Sequence, residues 1–481
     1  MAAGTTKRSI TNVLWAYFSF VSTKVLNLAA IVVVARYLDP AEFGLMAICL
    51  AIMAYFDIVS QFGLGSALIS AREKVEETAT AVLICGIAWS CVMAAILWGA
   101  SGYIARIYEA PLLRDLLAMT ALALVIRSVT VVHSAFLFRE LRMRAKMVPD
   151  VVRGLTKGVV SIVLAVSGFG VWALVFGYVA SALAATLALM IVRPWRPTRM
   201  PDRDSIRYVL GYGSHLIGAE TINATPRILD NLLIGKILGP AALGLYALAF
   251  RIPELGIKSF TTVTGSVLHP VMSGIQGDRA ELKTYYYAAL RYCALIMFGT
   301  GAAVAVLSDP LVRVLYAPRW YGMIAPMQLI AISFAIGTLN MVPGNLLKAV
   351  RRTDLMFRVS MINLPFFVVL IWLAVPHGIT AVAGAQVILS VIQLAPTYWI
   401  TKRVTDINAR DTFAALVPGL SCAAVASVAV LALLQLDLPP AAHLVLGAGA
   451  FAAVYLGMLR AVAPEVIAMI VRFAARKRSG A

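Results

Sequence analysis

The feature that most constrains this chain is a succession of fourteen apolar stretches, each long enough to cross a bilayer, with only short breaks between them. They fall near residues 11–35, 42–69, 79–104, 115–137, 150–168, 171–192, 208–236, 242–268, 285–307, 322–347, 358–375, 379–401, 412–434 and 442–462. A hydrocarbon core about 30 Å thick requires about 20 apolar residues per helix, and every backbone amide inside it must be satisfied within the segment. The predicted fold is therefore an all-α polytopic membrane protein of about 14 transmembrane helices. Breaker pairs such as Asp39-Pro40, Ala110-Pro111, Gly239-Pro240, Asp309-Pro310 and Pro439-Pro440 mark the connections. The first stretch follows Lys7 and Arg8 as a signal peptide does, but it far exceeds the usual apolar region of about 7–15 residues, so an uncleaved span is expected. Cys49, Cys85, Cys91, Cys293 and Cys422 stand singly in apolar stretches, without metal or disulfide spacing, and are read as helix packing residues.

Composition matters chiefly through charge. The residues are 61% hydrophobic and 13% charged, yet the formal net charge is +18. A nucleic-acid partner would require a soluble basic domain, and no polar stretch is long enough to form one. Topology explains the charge instead. With both termini cytoplasmic, the inner segments hold 26 Lys and Arg residues, while the outer segments hold six: Arg36, Arg106, Arg114, Lys236, Arg313 and Arg319. Cytoplasmic loops carry such an excess of cations.

The chain also repeats itself. Residues 36–47 (RYLDPAEFGLMA) align without gaps on 236–247 (KILGPAALGLYA), with six of the twelve positions identical. Tyr108 and Gly170-Val171-Trp172-Ala173 match Tyr316 and Gly378-Ile379-Thr380-Ala381 at an offset of 208, which one eight-residue insertion reconciles with the first offset. Six spans precede a basic segment and six follow it, so the repeats have the same orientation. The expected organisation is an N-terminal six-helix lobe (1–192), a basic cytoplasmic linker (193–207), a C-terminal six-helix lobe (208–401), and two additional helices with a basic tail (402–481). Parallel repeats related by an axis along the membrane normal are a transporter architecture.

The block Ala35-Arg36-Tyr37-Leu38-Asp39-Pro40-Ala41-Glu42-Phe43-Gly44-Leu45 carries a family resemblance. So do Phe62-Gly63-Leu64-Gly65-Ser66-Ala67-Leu68-Ile69, Gly170-Val171-Trp172-Ala173-Leu174 and the twelve-plus-two span count. On these the chain resembles the Wzx-type polysaccharide flippases of the multidrug/oligosaccharidyl-lipid/polysaccharide export superfamily. The resemblance implies a two-lobed, V-shaped cavity with alternating access, lined largely by the first, second, seventh and eighth spans. It implies a bacterial inner-membrane location and outward carriage of oligosaccharide repeats linked to undecaprenyl pyrophosphate. Membrane lipids, a polysaccharide polymerase and a co-polymerase are the partners it suggests.

Nine cations lie inside the expected spans, Lys24, Arg127, Arg153, Lys157, Arg227, Arg251, Lys258, Arg291 and Arg460, against four acids, Asp57, Glu220, Asp230 and Glu254. A charge at a helix centre costs about 2.5–3.5 kcal/mol on insertion scales, and such residues usually face a bundle interior or a watery cavity. Lys24, Arg127 and Arg251 sit at mid-depth, whereas Arg153, Arg291 and Arg460 lie near span ends, where snorkelling is expected. Arg251, Glu254 and Lys258 share one helical face around Pro253; they form either a self-neutralising ladder or part of a cavity wall. Arg227 either faces the cavity or bridges helices; Glu220 lies seven residues before it on nearly the same face, and Asp230 could neutralise it at i+3. Asp57 either pairs structurally with Lys24, or Lys24 meets an anionic substrate group and Asp57 titrates or pairs with Lys24 when the site is empty. His133 is expected to be a packing residue. The candidate substrate-binding cations are thus Lys24, Arg127, Arg227, Arg251 and Lys258, and the candidate coupling or charge-balancing acids are Asp57, Glu220 and Glu254.

No catalytic set, metal site or cofactor is expected. The chain lacks a G-x-x-x-x-G-K-[ST] motif for ATP. Asp202 and Asp204 form its only D-x-D and are read as a helix N-terminal cap. A cation-coupled multidrug exporter of the same superfamily is the alternative, disfavoured by the cationic excess. A membrane glycosyltransferase or polymerase is a further one, disfavoured by outer loops of only about ten residues.

Overall fold

The computed structural model describes residues 26–61, 63–140 and 142–464, and among these the regular elements are helical. The first expected span is described only from residue 26, where helix α1 covers 26–34. Each of the other thirteen expected spans falls on helix. Ten helical stretches are long and apolar enough to cross a membrane among the described residues; the chain is a multi-pass membrane protein.

By internal packing the chain divides into two compact units, Met1–Ala247 and Leu248–Ala481. The first contains α1, α2 (Pro40–Gln61), α3 (Leu64–Ser70), α4 (Val75–Ile107), α5 (Leu112–Arg139), α6 (Met143–Val166), α7 (Trp172–Val192) and α8 (Arg203–Ile237). The division falls inside α9 (Gly239–Gly274). The second unit continues through α10 (Arg279–Leu315), α11 (Ile324–Thr338), α12 (Met341–Ala349), α13 (Thr353–Ala374), α14 (Ile379–Thr405), α15 (Ala409–Leu433) and α16 (Pro440–Val462).

Small residues set how closely these helices pack, as expected where lipid tails offer no hydrophobic drive for association. In the second unit, α15 and α16 seat on α10. A Cβ on Gly419 would stand 2.8 Å from the Ala294 backbone, and one on Gly299 2.8 Å from the Tyr455 ring. Tyr455 also donates a hydrogen bond to the Leu295 carbonyl. Of the cysteines, Cys49, Cys293 and Cys422 are buried as expected, whereas Cys91 is exposed on the outer surface of α4.

Two expected spans are broken. The second stops at Gln61 and resumes at Leu64 through Gly63, whose φ of 61° is a left-handed conformation that glycine adopts without a Cβ penalty. The tenth is a 3-10 turn (Pro318–Met323) followed by α11 and α12. Hydropathy runs unbroken through both, so it conceals the joints.

The basic linker is a strap across one end of the first unit. Trp195 Nε1 donates to Glu76 at 2.9 Å, Arg199 pairs with Glu77 at 3.3 Å, and Arg193 pairs with Glu140 at 2.7 Å. Lys74 pairs with Asp202, whose carboxylate also accepts the Ser205 amide at 2.8 Å as the N-cap of α8. That capping role is the one expected of Asp202.

The sequence repeat has a direct structural counterpart at the opposite end of the same unit. α2 and α9 cross at their first turns, and a Cβ on Gly44 would overlap the Pro240 carbonyl while one on Gly244 would overlap the Pro40 carbonyl. The two approaches are reciprocal, as a twofold relation between residues 200 positions apart requires. The Asp39 amide donates to the Glu42 carboxylate at 2.9 Å, a capping arrangement for α2. α9 has Ala242 in the place of Glu42, and turns instead on Gly239, with φ of 85°.

Candidate functional site: a charged cavity in the first unit

A cavity of about 490 Å³ opens among α2, α3, α4, α5 and α6. Its floor is the broken joint of the second span: Gly63, Gly65 and Ser66 line it, where a continuous helix would present its side chains in another register. Discontinuous helices are a recurrent way of building transporter sites. Asp57, four residues before the joint, pairs with Arg127 of α5, and both line the cavity. The Arg127 guanidinium also donates to the Tyr178 hydroxyl of α7 at 3.3 Å. The side chains of Arg127 and Asp57 are 30% and 17% exposed, so this is a partly desolvated pair with one face toward the cavity.

Toward the linker end, α6 adds Lys146, Asp150 and Arg153. Asp150 stands 3.8 Å from the Lys146 ammonium and 3.9 Å from the Arg153 guanidinium, bridging both loosely. The lining therefore holds three cations and two carboxylates. Hydroxyls complete the wall. Ser128 and Thr130 donate back to backbone carbonyls one turn earlier, while the buried Ser60 hydroxyl has no partner among the described residues.

The structure distributes the sequence candidates unevenly. Arg127 and Asp57 come together in one site. Arg251 and Glu254 lie on α9 in the second unit, both partly buried beside the buried Pro253, and Arg251 is within electrostatic reach of Tyr316. Lys24 lies outside the described residues, as do the side chains of Glu220, Arg227 and Lys258. Asp57 engages Arg127, and the pairing with Lys24 weighed above lies outside the described residues. Arg153, expected near a span end, lines the cavity, as do Lys146 and Asp150, which the sequence reading did not single out. One signal was available: Lys146, Asp150 and Arg153 follow i, i+4 and i+7 spacing, so they share one face of α6. His133 is the packing residue expected, 3% exposed, with Nδ1 at 3.1 Å from the Val129 carbonyl and its ring edge-on to Trp195.

With this geometry in place, comparison with known proteins is decisive for the family. Residues 33–325 match the model of a family described as polysaccharide biosynthesis protein. The chain belongs to that family. The match starts just before the α1–α2 corner and takes in the whole charged cavity. Among curated relatives, the lipopolysaccharide biosynthesis protein WzxC of Escherichia coli (strain K12) is 24% identical over 75% of this chain and 74% of its own length. The succinoglycan biosynthesis transport protein ExoT of Rhizobium meliloti (strain 1021) is 24% identical over 68% of this chain and 66% of its own. Among solved structures, the lipid II flippase MurJ in an inward closed conformation aligns with a TM-score of 0.79 at 12% identity, covering 95% of this chain and 100% of that one. At that identity the likeness concerns the fold. The resemblance to Wzx-type flippases drawn from the motifs is thus borne out, and this member of the family is a transporter rather than an enzyme.

Proposed function

We propose that the protein translocates oligosaccharide repeat units linked to undecaprenyl pyrophosphate across the bacterial inner membrane, for exopolysaccharide, capsule or O-antigen synthesis. The observation that carries this reading is the Arg127–Asp57 pair in a hydroxyl-lined cavity within the membrane-spanning helices of a polysaccharide-biosynthesis family member. A pyrophosphate cannot enter hydrocarbon without a replacement for its hydration shell. Arginine supplies paired donors for phosphate oxygens, and a carboxylate holds it in the empty state. An incoming anion displaces Asp57 from Arg127, while serine and threonine hydroxyls suit sugar hydroxyls. Lys146 and Arg153, nearer the linker, make the approach cationic. Lys24, Arg227, Arg251 and Lys258 are the further cations assigned to the path, with Glu220 and Glu254 balancing them.

The orientation follows the cation asymmetry: both termini and the linker 193–207 face the cytoplasm, and the 105–114 loop faces outward. Repeats 1–192 and 208–401 act as the alternating lobes, the lipid tail staying in the bilayer as the head group passes. A polymerase and co-polymerase consume the product on the outer face. A drug exporter for cations is the poorer reading, because a cation needs carboxylates in excess and this cavity has cations in excess. The test is a deletion strain: loss of the gene should stop polymer export and leave lipid-linked repeats on the inner leaflet, with the wild-type gene reversing both. Normal polymer with sensitivity to cationic drugs would instead establish the exporter.

A further inference from the structure

The cavity holds two sets of paired charges, and they differ in kind. Arg127 and Asp57 are in close contact, with the Tyr178 hydroxyl accepting a further bond from the guanidinium. The second set lies on α6. Asp150 presents one carboxylate oxygen to the Lys146 ammonium at 3.8 Å and the other to the Arg153 guanidinium at 3.9 Å. A charge-assisted hydrogen bond closes to about 2.7–2.9 Å, so Asp150 attracts both cations without hydrogen-bonding either. The gap between Lys146 and Arg153 is thus one carboxylate wide and loosely filled.

This gap stands at the mouth of the cavity. Lys146 is in the first turn of α6, and its ammonium lies 4.7 Å from the centre of the Phe138 ring, an exposed part of the lining. The ring contact holds the ammonium over the cavity wall instead of letting it extend into water. Arg153, about two turns deeper, is within electrostatic reach of both Arg127 and Asp57, so the two sets are neighbours. Asp150 is 52% exposed against 28% for Lys146, and it can turn to solvent and vacate the gap without stranding a buried charge. The cations also differ in what they receive. A guanidinium offers paired donors that match phosphate, whereas a lysine ammonium takes an anion as a compact point charge. The deeper Arg127 therefore fits pyrophosphate, and the mixed pair at the mouth fits a single carboxylate, the group that already lies there.

We propose that Lys146, Asp150 and Arg153 select repeat units that carry an acidic sugar, Asp150 giving up its place between the cations to the carboxylate of a uronic acid. The inference rests on the transport reading above and names the substrate class for the same cavity. A neutral sugar leaves Asp150 where it is and forgoes one charge-assisted contact. The experiment measures binding to the purified full-length protein in detergent with three synthetic probes: undecaprenyl pyrophosphate alone, the same lipid carrying a glucose disaccharide, and its counterpart ending in glucuronate. The acidic probe should bind about tenfold more tightly than the neutral one. In Lys146→Gln that ratio should fall to near one, in Lys146→Arg it should persist, and in Asp150→Asn, which frees the gap, it should widen. Equal affinity of the wild-type protein for the two disaccharide probes overturns the proposal and leaves the transport reading standing. So does a Lys146→Gln variant that keeps the full preference, or one that loses affinity for both probes alike. If none of the three probes binds the folded wild-type protein, the transport reading itself fails and this inference with it. Should Lys146→Gln not fold, the wild-type ratio and its widening in Asp150→Asn decide, and an unchanged ratio in Asp150→Asn overturns the proposal.

Discussion

Replacing Asp57 by asparagine removes the carboxylate that balances Arg127 and leaves the guanidinium within α5 with the Tyr178 hydroxyl, 3.3 Å away, as its remaining described partner. A lone cation at a helix centre costs about 2.5–3.5 kcal/mol on insertion scales, and stripping one member from a fully buried pair costs about 3–5 kcal/mol. Because the two side chains retain 30% and 17% exposure, water relieves part of this, and the expected loss is about 2–3 kcal/mol. The measurement is equilibrium unfolding of the purified protein in mixed micelles, with polymer export by the same variants in cells. Asp57→Asn should be destabilised by that amount. Adding Arg127→Gln should recover at least half of it, since removing both charges removes the imbalance. The double variant should nevertheless fail to export, because the guanidinium that receives the anion is gone. Wild-type stability of Asp57→Asn would refute the energetic reasoning, and wild-type export by the stabilised double variant would remove Arg127 from the substrate path.

Four further outcomes follow from contacts elsewhere in the chain and from its cation asymmetry. The Lys74 ammonium, with the Ser205 amide, holds the Asp202 carboxyl below the usual carboxylate range; a depressed acid contributes stability above its unfolded value that is lost only as pH falls through the folded one, so amide protection of the linker should persist at pH 4. Asp202→Asn keeps the cap on Ser205 but deletes the ion pair, so hydrogen exchange corrected for intrinsic rate should quicken in 195–201 and not at Ser205. Gly419→Leu should pry α15 from α10, at about 1–3 kcal/mol for overpacking, whereas Gly99→Ala, with open space around it, should be neutral in the same unfolding assay. Cysteine placed at Glu109 should react with an impermeant reagent from outside the cell and cysteine at Arg142 should not; the reverse pattern would invert the proposed topology.

The helices were legible because hydropathy of about twenty residues is a strong local signal, and the Asp202 cap because its partner lies three residues on. The break at Gly63 was hidden, since Phe62-Gly63-Leu64-Gly65-Ser66-Ala67-Leu68 is apolar whether or not the helix is continuous. The pairing of Asp57 with Arg127 spans 70 residues, too far apart for any local pattern in the sequence to bring the two together. Arg153, placed near the span end by the sequence, also lines the cavity, which its position along the span could not reveal because that depends on the face of α6 it occupies. In the other direction, the repeat at 36–47 and 236–247 gave more than its alignment promised: the matched glycines are the points at which the two copies touch. The motifs that carry the family resemblance are thus largely those of contact and breakage, namely the Pro40–Gly44 corner, the Gly63 joint and Gly170 under Glu42, rather than the charges of the cavity.

The central claim is tested most directly with purified protein in liposomes. A lipid-linked oligosaccharide carrying a tritiated sugar is placed in both leaflets, and an impermeant glycosidase reports how much is reachable from outside. Wild-type protein should bring nearly all of the label within reach of the enzyme over time, while Asp57→Asn with Arg127→Gln should leave the inner-leaflet half protected. Protection of that half in vesicles containing correctly inserted wild-type protein, alongside extrusion of a lipophilic cation from the same vesicles, would contradict the account.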